Sequence, residues 1–134
     1  MKLIVCIDEQ GGVLFGHRRV SSDRCVISDI MQLIGDSKLY MRQYSADLFG
    51  DSEKLQIMVD CLDAPLGAFV FLEESMPDLL WNHVSQVIVY HWNRLYPSDV
   101  RFPIDKLWRQ GRLVSTVEFA GNSHERITRE VYEL

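Results

Sequence analysis

Tyr96-Pro-Ser-Asp-Val-Arg-Phe-Pro-Ile-Asp105, with Trp108 behind it and Arg112-Leu-Val-Ser-Thr-Val-Glu-Phe119 following, reads as a turn, an edge aromatic and a long strand. A second strand-like run, Glu125 to Tyr132, follows a short polar break and pairs naturally with the first as a closing antiparallel hairpin. Immediately upstream, Val84-Ser-Gln-Val-Ile-Val-Tyr-His-Trp92 contains an apolar run of strand length. The C-terminal half therefore predicts a buried strand and an antiparallel pair at its side.

Further upstream the pattern changes to strands alternating with helices. Gly67-Ala-Phe-Val-Phe-Leu72 is a buried strand, and Met76 to Trp81 a short helix with Pro77 in its first turn, where a missing N–H costs little. Gln56 to Asp60 and Lys38 to Met41 read as strands, with Ser45 to Phe49 as one or two helical turns between them. Ser21-Ser22-Asp23 supplies capping side chains for a helix whose apolar positions Val26, Ile27, Ile30, Met31, Leu33 and Ile34 end at Gly35. Before it lie a Gly16-His17-Arg18-Arg19 loop and the unbroken apolar strand Lys2 to Ile7. This order predicts an α/β fold: a mixed, mainly parallel central sheet with flanking helices and a C-terminal antiparallel hairpin, in one domain spanning residues 1–134.

Composition narrows the function classes. The 134 residues are 47% hydrophobic and 25% charged, the balance of a globular domain. A net charge of -5 argues against nucleic acid, whose binders need a basic face. Cys6, Cys25 and Cys61 show no CxxC spacing, and His17, His83, His91 and His124 form no ligand motif, so no metal site is expected. The apolar run at 3–7 is too short for a signal segment or a membrane span, which points to a cytoplasmic protein with no membrane partner. No phosphate-loop, dinucleotide or GxSxG motif occurs.

Taken together, the elements resemble the dihydrofolate reductase family across nearly the whole chain. Ser98-Asp-Val-Arg-Phe-Pro103 is similar to that family's Gly-Asp-Thr-x-Phe-Pro, and Leu3-Ile-Val-Cys-Ile-Asp8 with Gly12 and Gly16 to its first strand and mobile loop. The resemblance implies a catalytic, pterin-binding acid at the start of the first helix, where Asp23 stands, and a phosphate-contacting hydroxyl at Ser45. It also implies NADPH as cofactor.

Several positions depart from the pattern. Gly16-His17-Arg18 stands where the family has Leu-Pro-Trp, and Tyr90 of Val89-Tyr-His91 where it has a threonine that backs the acid. Leu72 and Glu73 stand at the family's Gly-Gly pair, where side chains fill the space and a carboxylate repels phosphate. The segment from Phe49 to Gly67 is shorter than the strand and helix that hold the adenosine half of the cofactor.

The leading expectation is accordingly a reductase-like protein without NADPH-dependent hydride transfer and with no cofactor, keeping a small cleft near Asp23 for a planar heterocycle or serving as an interaction module. The alternative is an active NADPH-dependent reductase of a pterin or related ring, with Asp23 as acid and Ser45 on a phosphate. Asp23 also reads as a plain helix cap. Arg18 and Arg19 are candidate ligand contacts, and Trp92 and Tyr96 candidate ligand or partner contacts. A third reading is a homodimer or a small partner-binding protein built on Trp81, Trp92 and Tyr96.

Overall fold

The computed structural model describes all 134 residues. Its strands are β1 (Lys2–Ile7), β2 (Gly12–Phe15), β3 (Arg18–Arg19), β4 (Leu39–Met41), β5 (Leu55–Ile57), β6 (Phe69–Phe71), β7 (Gln86–His91), β8 (Val100–Arg101), β9 (Arg112–Phe119) and β10 (Ile127–Glu133). The helices are α1 (Arg24–Ile34), α2 (Gln43–Phe49), α3 (Asp78–Trp81) and α4 (Ile104–Gln110). Seven strands form the central sheet in the order β5-β4-β6-β1-β7-β10-β9. β1 runs parallel to β6 and β7, and β4 parallel to β5 and β6, while β10 runs antiparallel to both β7 and β9. The expected architecture, mainly parallel with an antiparallel close, is the one found.

Alternation along the central strands builds a core on each face. Leu3, Val5 and Ile7 point to one side, where Leu80, Trp81, Phe102 and Leu107 cover them. Ile4, Ile88 and Tyr90 point to the other, beneath Val26, Ile30 and Ile34, the buried stripe of α1. That stripe repeats every four residues, so one helix face is apolar and the rest is free to carry polar groups. Asp29 is one of these.

Two features escape the sequence reading. The Gly16-His17-Arg18-Arg19 loop is the tip of a hairpin: Gly16 and His17 take left-handed backbone, with φ of 56° and 64°, which turns β2 directly into β3. β8 joins β2 to complete a small second sheet. Helix α4 follows Pro103 where the sequence suggests only a turn and an exposed aromatic; it buries a single residue, Leu107, and ends at Gly111. The shortened segment after Phe49 holds only the three-residue edge strand β5 and a 3-10 turn at Cys61–Asp63. No helix is long and apolar enough to cross a membrane.

Candidate functional site

In an open α/β sheet the usual place for a ligand is beyond the carboxyl ends of the parallel strands. Ser45, Glu73 and Trp92 follow the ends of β4, β6 and β7, Arg19 lies on β3 and Asp23 just beyond it, and these residues fall into two closed clusters, with an open cleft apart from them.

Asp23 caps α1, accepting a hydrogen bond from the Cys25 N–H at 2.8 Å. Its remaining acceptor positions face the turn between β9 and β10. Oδ1 accepts from the Asn122 N–H at 2.9 Å, and Oδ2 from the Ser123 N–H at 2.8 Å, the Ser123 hydroxyl at 3.1 Å and His124 Nδ1 at 2.9 Å. The Asp23 side chain is fully buried. Burial alone would raise its pKa, but the hydrogen bonds from Asn122, His124, Ser123 and Cys25 outweigh that and hold the carboxyl well below its usual range. Both oxygens are thus occupied by the protein. The bidentate face expected of a ligand-binding acid is turned inward, and the capping geometry is the one present.

The aromatics expected as ligand or partner contacts close over the same cluster. Trp92 is buried and stacks on His124 with ring centroids 4.7 Å apart. The Tyr96 hydroxyl lies 2.9 Å from His124 Nε2, and its N–H donates to Asp8 Oδ2. Trp81 is buried too, its indole N–H donating to Gln110. Neither tryptophan presents its ring at the surface.

The second cluster lies where the resemblance puts the cofactor phosphates. Arg19 and Glu73 form a bidentate ion pair, Nε to Oε2 at 2.8 Å and Nη2 to Oε1 at 3.1 Å. The Ser45 hydroxyl donates to the same Oε1 at 2.8 Å. Tyr44 completes the clamp: its ring lies under the Arg19 guanidinium at 4.4 Å, its hydroxyl accepts from the Arg19 N–H and its carbonyl from Nη2. Glu73 is only 7% exposed, and Leu72 beside it is fully buried. A phosphate brought to Ser45 would meet this carboxylate at hydrogen-bonding distance, so these residues do not fit a dinucleotide diphosphate. Arg18, by contrast, is exposed on β3.

The open cleft was not read from the sequence. It measures about 540 Å³ and runs between α1 and the end of β9, with Arg24, Cys25, Ser28, Asp29, Phe119 and Asn122 on its walls. Asp29 Oδ2 accepts from the Tyr90 hydroxyl at 2.6 Å and from Arg129 Nη1 at 2.7 Å. Oδ1 accepts no hydrogen bond from the protein, and Arg129 Nε is buried without a partner. Burial and the Asp29 carboxylate push the Tyr90 phenol far up, so it stays a donor. The signal available in the sequence was helical spacing: Asp29 lies one residue before buried Ile30 and so at the margin of the apolar stripe, within reach of β7 and β10.

Comparison with known proteins gives a consistent but distant picture. No family model matches the chain, and no curated protein matches it by sequence. Among solved structures, dihydrofolate reductase from Enterococcus faecalis, in complex with NADP(H) and RAB-propyl, superposes with a TM-score of 0.66 over 98% of this chain and 94% of that one, at 14% identity. The fold is dihydrofolate-reductase-like. At that identity the likeness speaks of architecture, and function rests on the residues at the site.

Proposed function

We propose that this protein keeps the dihydrofolate reductase fold without NADPH-dependent hydride transfer, and binds a small planar heterocycle in the cleft beside Asp29. The observation that carries the first part is Glu73, whose carboxylate sits on Arg19 and Ser45 at the position where the fold's cofactor phosphates would need donors. The alternative, an active pterin reductase using Asp23 and Ser45, would require both residues to release their present partners.

The second part rests on unused hydrogen-bonding capacity. Asp29 lines the cleft with Oδ1 free of protein donors, while Arg129 pairs with Oδ2 and neutralises the charge. A neutral N–H edge, such as that of an aminopyrimidine or pterin, suits such a carboxylate better than a full cation, and the Phe119 ring offers an apolar face nearby. Thermal-shift titration with 2,4-diaminopyrimidine and with pterin tests this. A saturable rise in Tm, lost in Asp29→Asn, is the expected result; no shift with either compound would refute the ligand assignment.

A further inference from the structure

Beyond capping α1, the Asp23 cluster brings a hydroxyl into line with its carboxylate and imidazole. An ionised, buried carboxylate faces His124 Nδ1 at 2.9 Å, which fixes the ring with its proton on Nδ1. Nε2 is then the acceptor, and Ser21 Oγ lies 3.0 Å from it. Trp92 stacks against the imidazole and holds its plane, and three backbone N–H groups hold the carboxylate. Carboxylate, imidazole and hydroxyl stand in line at hydrogen-bonding distances, the arrangement that activates serine nucleophiles on unrelated folds, where it is recognised by geometry and not by motif. Asp23 and His124 are fully enclosed, whereas Ser21 is half-buried at the entrance to α1, next to exposed Ser22.

We propose that Ser21 is a nucleophile for small activated acyl groups, with His124 as its general base and Asp23 orienting the ring. Ser21 Oγ bonds to the acyl carbon while its proton passes to His124 Nε2; the carbon–oxygen bond to the leaving alcohol then breaks, and the alcohol leaves with that proton. Water repeats the sequence on the acyl-serine, releasing the carboxylic acid and restoring the hydroxyl. Ser21 lines none of the larger cavities and is half-buried, so an acyl group would be met at the surface beside the start of α1. Tyr96 competes, its hydroxyl 2.9 Å from the same Nε2, and so restrains the relay.

The test is to incubate the folded protein with p-nitrophenyl acetate and with a fluorophosphonate probe, locating adducts by peptide mass spectrometry. The expected result is an adduct on Ser21, absent in Ser21→Ala, formed about 100-fold more slowly in His124→Gln and faster in Tyr96→Phe. If His124→Gln fails to fold, the other two variants decide. No adduct on Ser21, or an adduct rate indifferent to Tyr96→Phe, would overturn the proposal and leave the cluster as a structural tie between α1 and the β9–β10 turn.

Discussion

Arg19 and Glu73 meet as a bidentate ion pair across 54 residues of sequence, joining the β2–β3 hairpin to the end of β6. Ser45 donates to the same carboxylate, so three elements converge on one anion that belongs to the protein. Glu73→Gln keeps the shape and removes the charge. It is expected to cost about 2 kcal/mol, because Arg19 would be left partly buried without its counter-ion. Urea denaturation of wild type and variant measures the difference.

Asp23 gives a pH signature. Its folded carboxyl titrates below the ordinary value of 3.8, so below that value the unfolded chain binds the proton first. The stabilisation is complete above about pH 5 and declines as the pH falls through and below about 4. Asp23→Asn should lose that acid dependence and be less stable by about 2–4 kcal/mol at pH 7, since an amide cannot accept from all of the donors that face the carboxylate. Urea midpoints at pH 7 and pH 3 test both statements.

Gly121 is a steric condition of the same cluster. A Cβ there would lie 2.6 Å from Asp23 Oδ2 and 2.7 Å from the His124 carbonyl. Both neighbours are buried and fixed, so Gly121→Ala should destabilise the fold by about 2 kcal/mol or more. An unchanged melting temperature would contradict the closeness of this packing.

The thiols should separate by reactivity. Burial, with Glu74 as hydrogen-bond acceptor and nearby charge, pushes Cys61 up to about 12, and burial with Glu73 nearby pushes Cys6 well up. Cys25 is partly exposed on the wall of the Asp29 cleft. Iodoacetamide at pH 8 should therefore modify Cys25 in the native protein and reach Cys6 and Cys61 only on unfolding. A ligand seated beside Asp29 should slow the Cys25 reaction.

The strands are legible where local pattern carries the signal: the stretches 3–5, 70–72 and 87–90 are buried on both faces and form unbroken runs of apolar and aromatic residues. Helix α4 is not, because only Leu107 among its seven residues is buried and no periodicity can show in one position. The candidate site was less legible still. Asp23 stood out as a cap, but its partner His124 lies 101 residues away and no spacing rule links them. In the sequence Asp29 is one polar residue among several on α1; only the packing of β7 and β10 brings Tyr90 and Arg129 to it. Pairings of this kind depend on sheet order, which a linear pattern does not encode.

Calorimetric titration of NADPH into the wild-type protein reaches the main point directly. With Glu73 holding Arg19 and Ser45, no saturable heat is expected at cofactor concentrations up to about 1 mM, where even weak association of about -4 kcal/mol would register. Binding in the micromolar range would contradict the closure of the phosphate position.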